Sequence, residues 1–150
     1  ELWARGPNIM TGYLNLPEET AAAISDGWLH TGDMARIDEG GYVYLLDRLK
    51  DLVITGGENV YSSEVEAALH RHPAVSEAAI IGLPDDKLGE ALFAVIVLRP
   101  DTAASEDELI SHCRELIGGY KIPRSYAFVE ALPKSALGKV LKAELRQQYS

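Results

Sequence analysis

A run of charged residues at positions 47–51 divides the sequence into two parts with different hydrophobic patterns. It reads Asp47-Arg48-Leu49-Lys50-Asp51 and interrupts an apolar pattern that resumes at Leu52. Before it, turn-forming residues are frequent and apolar runs are short. After it, helical and strand patterns alternate. We therefore place a segment boundary here, and we expect the complete hydrophobic core to lie on its C-terminal side.

The N-terminal part predicts a β-hairpin preceded by irregular chain. Turn dipeptides punctuate positions 1–30, and positions 18–24 form at most a short helix. Residues 34–37 and 42–46 are β-rich, and the sequence Asp-Glu-Gly-Gly between them is typical of a tight turn. The irregular segment before the hairpin cannot build a core of its own.

The C-terminal part predicts an α+β fold, a small mixed sheet flanked by helices. Strands are expected at 75–81, 92–98 and 126–129, and the second is apolar on both faces, which is typical of a central strand. Ser63 and Glu66 have capping-box spacing, which predicts a helix over 63–71. Ser105 and Glu108 repeat the capping box and predict a second long helix, which Gly118-Gly119 ends. Its buried apolar stripe is formed by Leu109, Ile110, Cys113, Leu116 and Ile117. Leu141 with Leu145 predicts a closing amphipathic helix.

Composition excludes several functional classes. The 150 residues include 14 Lys and Arg against 23 Asp and Glu, a net charge of −9 that argues against non-specific nucleic-acid binding. Cys113 is the only cysteine, which excludes a disulfide framework and a Cys-rich metal site and favours a reducing, cytoplasmic setting. The four histidines form no metal-binding set. The longest apolar run, 91–98, is too short for a membrane span, and no signal peptide is expected.

The segment 119–150 is basic within this acidic chain. Two acidic residues accompany six basic ones: Lys121, Arg124, Lys134, Lys139, Lys142 and Arg146. This segment either meets a small anionic ligand or is a solvated helix face with its charges in water. The sequence leaves both alternatives open.

Three polar segments break the structural pattern and are candidate ligand sites. In Thr31-Gly32-Asp33, the carboxylate can accept hydrogen bonds from both hydroxyls of a ribose, although a simple turn explains the same residues. The second contains Arg48 and Gly56-Gly57-Glu58-Asn59. Its two glycines allow the backbone to approach a ligand closely, or the segment is a strand-to-helix loop that binds no ligand. The third ends in Gly138-Lys139. It lacks the glycine and hydroxyl spacing of a P-loop. Its Lys can stabilise negative charge that develops on a phosphoryl oxygen or a carboxylate, or it is an ordinary surface Lys.

In order and spacing these segments resemble the C-terminal part of the adenylate-forming superfamily of acyl-CoA synthetases, peptide-synthetase adenylation domains and beetle luciferases. The resemblance covers nearly the whole chain. It is carried by Gly12-Tyr13 with Pro17-Glu18-Glu19-Thr20, Asp26-Gly27-Trp28-Leu29-His30-Thr31-Gly32-Asp33, Asp47-Arg48-Leu49-Lys50-Asp51, Gly56-Gly57-Glu58-Asn59-Val60-Tyr61, and Leu132-Pro133-Lys134 with Gly138-Lys139.

The resemblance implies a role for each candidate residue. Asp33 would hold the ribose hydroxyls of ATP or AMP, and Arg48 would contact the same ribose and a nearby phosphate. Lys139 would bridge the carboxylate and the α-phosphate during adenylation. Lys50 falls at the family's hinge, where many relatives have Asp. The loop formed by Gly56, Gly57, Glu58 and Asn59 would line the CoA channel in the second step.

Within the superfamily, the string Gly-Gly-Glu-Asn-Val-Tyr followed by Ser-Ser-Glu resembles the acyl-CoA ligases, including fatty-acid-CoA ligases. That implies an acid-thiol ligase in which a small-molecule carboxylic acid and ATP form acyl-AMP, and CoA then displaces AMP. Mg²⁺ is implied by the ATP chemistry, with no metal ligand among these residues. Fatty, aromatic and small acids all remain open.

The resemblance also implies a domain organisation. Residues 1–47 would be the distal end of a large AMP-binding N-terminal domain, and 48–150 the mobile C-terminal domain. The phosphate loop, adenine site and acyl pocket would lie in the missing N-terminal domain, so this chain alone is expected to be inactive. The alternatives are an adenylation domain of another superfamily branch, or a non-catalytic module that keeps the fold.

Overall fold

The computed structural model describes all 150 residues and divides them into two compact units. Unit 1 is Glu1–Lys50 and unit 2 is Asp51–Ser150. The division falls inside the charged run at 47–51, as the change in hydrophobic pattern predicts.

Unit 1 contains a hairpin and a small three-stranded sheet. Its elements are β1 (Trp3–Ala4), α1 (Pro17–Ala23), β2 (Ile24–Ser25), β3 (Trp28–His30), β4 (Asp33–Ile37) and β5 (Val43–Arg48). The predicted hairpin is confirmed as antiparallel β4 and β5. The expectation of irregular chain before it is partly wrong, because β1, β3 and β2 pair in that order; strands of two or three residues carry too little pattern to be recognised.

No side chain of unit 1 is buried, and many of its apolar residues face solvent. Leu14 is 88% exposed and Tyr42 is 70% exposed. The expectation that the segment before the hairpin builds no core of its own is therefore confirmed.

Unit 2 is the predicted α+β domain. Its elements are β6 (Val53–Thr55), β7 (Glu58–Val60), α2 (Ser62–His70), β8 (Val75–Asp85), β9 (Gly89–Leu98), α3 (Glu106–Arg114), β10 (Ser125–Phe128) and α4 (Lys142–Tyr149). The strand order is β10-β9-β6-β7, with β8 also paired to β9. The predicted central strand is thus confirmed as β9, which is parallel to β10 and antiparallel to β8.

The core has two halves on opposite faces of this sheet. Successive side chains of a strand point to opposite faces, and Ile80 belongs to one cluster whereas Ile81 belongs to the other. The first cluster includes Leu69 of α2 and Leu109 of α3, and the second includes Leu145 of α4. Helices α2 and α3 therefore cover one face and α4 the other.

One of the two predicted capping boxes is wrong. Helix α2 begins at Ser62, its N-cap residue is Tyr61, and no side chain caps it. The Glu66 carboxylate instead accepts a hydrogen bond from Ile80 N–H at 2.8 Å and pairs with Lys142 Nζ at 2.6 Å. Tertiary partners from β8 and α4 therefore replace the local cap.

The second capping box is confirmed at the start of α3. Ser105 Oγ accepts from Glu108 N–H, and Ser105 N–H donates to the Glu108 carboxylate. The Ser105 N–H and the Ser105 hydroxyl both donate to the Glu108 carboxylate, and these two hydrogen bonds lower the pKa of Glu108 below its ordinary value. The helix ends at Arg114, earlier than the apolar stripe predicts, and Leu116 and Ile117 pack on the core from the following turn.

Candidate active site

Asp33 and Arg48 meet at the end of the hairpin in unit 1. Asp33 begins β4, Arg48 ends β5, and the two lie opposite each other in the register of the strands. Arg48 Nη1 donates to Asp33 Oδ1 at 2.7 Å, with the side chains 54% and 27% exposed. Gly32 has a φ of +70°, and a Cβ there would lie 3.5 Å from Arg48 Nη2. The pair therefore presents an ordered carboxylate and an accessible guanidinium side by side.

The glycine pair of the second candidate segment is a hairpin turn, which corrects the interpretation of this segment as a loop. Gly56 and Gly57 have φ values of +59° and +85° between the paired residues Thr55 and Glu58. Positive φ at both central residues defines the tight turn that suits twisted antiparallel strands and that glycine adopts without strain. Asn59 lies within β7 in extended conformation, so the left-handed geometry that Asn tolerates is not used here.

A cavity of about 620 Å³ adjoins this turn. Thr55, Gly56 and Glu58 form one wall, and apolar side chains contribute most of the rest: Leu88, Leu92, Ile110, Ile122 and Pro123. Arg114, Tyr120 and Arg124 also line it. A largely apolar pocket of this size with a few charged groups is typical of small-molecule sites.

Sequence reasoning did not find the charged lining of this cavity. Arg114 ends α3 and Arg124 directly precedes β10, so the two belong to different elements and no local motif joins them. Arg124 N–H donates to Leu92 O at 2.9 Å, which holds its backbone against the central strand. The only available signal was the presence of Arg124 in the basic C-terminal segment.

Lys139 projects from a tight turn in unit 2. Lys134 and Val140 form an antiparallel bridge at the base of the turn, and Ser135 N–H donates to Lys139 O at 2.8 Å. Gly138 has a φ of +78°, a conformation suited to glycine. Lys139 itself is exposed. The turn therefore fixes the backbone of Lys139 and leaves its ammonium group in solvent.

Four of the six basic residues of the C-terminal segment are held in ion pairs. These pairs are Lys121 with Glu64, Lys134 with Glu77, Lys142 with Glu66, and Arg146 with Asp51. The solvated-face alternative is therefore wrong for these four residues. Lys139 forms no ion pair, so its charge is not offset by a neighbouring carboxylate.

The candidate residues are distributed over both units. Asp33 and Arg48 belong to unit 1, whereas Lys139 and the Gly56-Gly57 turn belong to unit 2. Within unit 2, Lys139 does not line the cavity beside the turn. No group of three or more His, Cys, Asp or Glu side chains is arranged to hold a metal ion, and none of the helices is long and apolar enough to cross a membrane.

Comparison with known proteins identifies the family. The model of the AMP-binding enzyme C-terminal domain matches residues 64–139. A relative in Rhodococcus jostii is named as a CoA ligase for a methyl-dioxo-octahydroindenyl propanoyl group. Its sequence is 48% identical to this chain, and the match covers 99% of this chain and 29% of the ligase. The chain therefore belongs to the AMP-binding enzymes, as the sequence strings predict.

Two solved structures have the same fold. An o-succinylbenzoate CoA synthetase of Bacillus subtilis, in complex with its acyl-adenylate intermediate, superposes with a TM-score of 0.90 at 41% identity, over 96% of this chain and 29% of that one. An amide bond synthetase of Marinactinospora thermotolerans superposes with a TM-score of 0.88 at 39% sequence identity. The match covers 99% of this chain and 30% of the synthetase. The chain thus spans less than a third of the length of these proteins.

Proposed function

We propose that this chain supplies the C-terminal part of an acid-thiol ligase that makes acyl-CoA from a carboxylic acid, ATP and CoA. In the first step a carboxylate oxygen attacks the α-phosphate of ATP, and pyrophosphate leaves with the electron pair of the broken P–O bond. In the second step the CoA thiol loses its proton to solvent and attacks the acyl carbon, and AMP leaves with the electron pair of the broken C–O bond. The unpaired ammonium of Lys139 on its fixed turn carries this proposal.

Lys139 acts in the first step. Negative charge accumulates on the α-phosphate oxygens as the carboxylate attacks, and a preorganised ammonium stabilises it. The Lys139 backbone is held by the bridge at 134 and 140, so little reorganisation is needed when the substrate arrives. Its neighbours Lys134 and Lys142 are engaged with Glu77 and Glu66 and are not available for this role.

Asp33 and Arg48 bind the nucleotide. A carboxylate offers two acceptor oxygens to the two ribose hydroxyls, and the Arg48 hydrogen bond to Oδ1 holds the carboxylate in one orientation. The exposed guanidinium retains donors for a phosphate oxygen.

The Gly56-Gly57 turn and the adjoining cavity bind CoA. Glu58 and Asn59 continue from the turn along β7, and we assign these four residues to the channel for the thiol-bearing arm. Arg114 and Arg124 line the cavity beside the turn, and guanidinium groups match phosphate geometry. Tyr120 offers an aromatic ring for the adenine.

The two steps require different positions of unit 2, and Lys50 is the pivot. It is the last residue of unit 1 and lies in a 3₁₀ turn over Leu49–Asp51. In this proposal the boundary expected between residues 47 and 48 shifts to the pivot, so residues 1–49 are the end of the large N-terminal domain and 51–150 the mobile domain. The missing N-terminal domain holds the acyl pocket, Mg²⁺ enters with the ATP phosphates, and the reaction is cytoplasmic. This chain alone is therefore inactive.

The carboxylic acid is not determined by these residues. The ligase of Rhodococcus jostii and the synthetase of Bacillus subtilis are 48% and 41% identical to this chain and are named for different acids. In this proposal the acid is therefore selected by the acyl pocket of the N-terminal domain and not by this chain.

A second candidate function is amide formation, in which an amine displaces AMP in place of the CoA thiol. It is favoured by the match to the amide bond synthetase, which covers 99% of this chain with a TM-score of 0.88. The arginines that line the cavity favour the CoA thiol instead, because an amine acceptor without phosphates gives them no partner.

The test is to incubate the complete enzyme with ATP and a panel of carboxylic acids, then add CoA or a primary amine. We expect pyrophosphate release with the correct acid, and thioester and AMP formation on addition of CoA. ADP release, or product formation with the amine alone, would contradict the proposal. The isolated chain described here is the negative control.

A further inference from the structure

We infer that Arg146 and Asp51 are positioning residues that confine the rotation of unit 2 to Lys50, an inference that rests on the proposed function. Arg146 Nη2 donates to Asp51 Oδ1 at 2.9 Å. Asp51 is the first residue of unit 2 and is only 8% exposed. The pair therefore ties the residue after the pivot to the C-terminal helix.

That helix is itself fixed to the body of unit 2. Leu145, next to Arg146, is 2% exposed and belongs to the second core cluster. The Tyr149 ring packs on Phe93 of the central strand with centroids 4.8 Å apart. Because α4 is held to the sheet on both sides of Arg146, the guanidinium is a fixed point to which Asp51 is attached.

The residue before the pivot is tied to unit 1. Leu49 N–H donates to Gly32 O at 2.7 Å, adjacent to the Asp33 site. Lys50 is thus the one residue between an anchor on each side. A rotation that keeps both anchors must be absorbed by the backbone torsions at Lys50 and its two peptide links, and not by the whole charged run at 47–51.

Loss of the Arg146 anchor allows the rotation to spread along the chain. A buried carboxylate without its partner is strongly disfavoured, so Asp51 would move toward solvent and lengthen the flexible link.

The orientation for adenylation is also held by contact of Lys139 with the nucleotide. The orientation for thioester formation lacks this contact, so we expect the second step to suffer more.

The experiment measures distances between the two units in the complete enzyme with saturating AMP. Spin labels are attached to cysteines introduced at Glu39 and Asp86, both exposed, while the native Cys113 is buried. The test variants are Asp51→Asn and Arg146→Gln, and Arg146→Lys keeps the charge. Glu64→Gln is the matched control, because it removes a carboxylate from the Lys121 ion pair in the same unit.

We expect broader distance distributions in Asp51→Asn and Arg146→Gln, and the parental width in Arg146→Lys and Glu64→Gln. The ratio of the thioester rate, measured with acyl-AMP and CoA, to the adenylation rate should fall by about 2- to 30-fold in the broadened variants, the range for substitutions that alter coupling. If Arg146→Gln fails to fold, Asp51→Asn carries the test, since the amide has the same shape.

Unchanged widths in the test variants would overturn the inference, and so would equal broadening in Glu64→Gln, which would indicate general loosening of unit 2. An enzyme that forms no acyl-adenylate with any acid would refute the proposed function. The distance measurement would still report on the anchor, so the two failures are distinguishable.

Discussion

Arg48 Nη1 lies 2.7 Å from Asp33 Oδ1, and the two residues face each other across the last register pair of the β4–β5 hairpin. Both belong to unit 1, so the pair is complete within one folded unit. The hairpin therefore orders a carboxylate for hydroxyl recognition by pairing it with a cation that is itself accessible to a ligand.

Replacement of Arg48 by Ala should raise the KM for ATP of the complete enzyme by about 10- to 100-fold, the effect of losing a hydrogen bond to a charged group. The substitution removes a phosphate donor and frees the Asp33 side chain. Arg36→Ala is the matched control, because Arg36 lies over the Tyr44 ring of the same hairpin, away from Asp33. Equal effects of both substitutions would indicate damage to the hairpin.

Replacement of Arg114 by Ala should raise the KM for CoA by about tenfold, as expected for one charge-assisted phosphate contact. The KM for ATP should stay near the parental value, because Arg114 belongs to the cavity beside the Gly56-Gly57 turn. Initial rates at varied CoA and at varied ATP separate the two effects. Arg71→Ala removes an exposed arginine outside this cavity and serves as control. A parallel change in both KM values would refute the CoA assignment.

Replacement of Lys139 by Ala should slow acyl-adenylate formation by about 10²–10³-fold, the effect of removing one preorganised charge donor. Thioester formation from supplied acyl-AMP and CoA should remain nearly normal, because in the orientation of unit 2 for this step Lys139 no longer contacts the nucleotide. Lys87→Ala, which removes another exposed lysine of unit 2, should alter neither step. A similar loss in both steps of Lys139→Ala would instead assign Lys139 to folding or general binding.

Replacement of Lys50 by Pro should impair thioester formation more than adenylation. The proline ring locks the φ torsion and removes the N–H at the residue that would absorb the rotation. Lys50→Ala is the control that removes the same side chain and keeps the torsional freedom, so it should be much less impaired. If Ala and Pro were equally defective in the second step, the side chain and not the backbone rotation would be responsible.

Replacement of Tyr126 by Phe should leave the free energy of unfolding unchanged or raise it by about 1 kcal/mol, because an unpartnered hydroxyl is removed from the core. Tyr126 is 9% exposed, its hydroxyl has no hydrogen-bond partner, and burial raises its pKa. Urea unfolding of the chain measures the difference. Destabilisation by more than about 1 kcal/mol would mean that the hydroxyl has a stabilising partner such as a bound water.

The sequence by itself determined the features that depend on residues close together in the chain. The turn chemistry at 38–41 predicted the hairpin, Ser105 and Glu108 predicted the cap of α3, and the apolar run at 92–98 predicted the central strand. Local sequence decides these features because backbone torsions, caps and alternation act over a few residues. The short family strings are likewise local, so the family could be identified without a structure.

Only the tertiary structure decided which charges are paired and which are free. Glu66 has the spacing of a cap, yet its carboxylate binds Ile80 N–H and Lys142. The Arg146–Asp51 pair joins residues 95 positions apart, and the cavity arginines come from separate elements. These contacts form because the sheet brings distant segments together, and no pattern along the chain encodes which basic side chain lies within reach of which carboxylate. The freedom of the Lys139 ammonium is therefore a property of the fold.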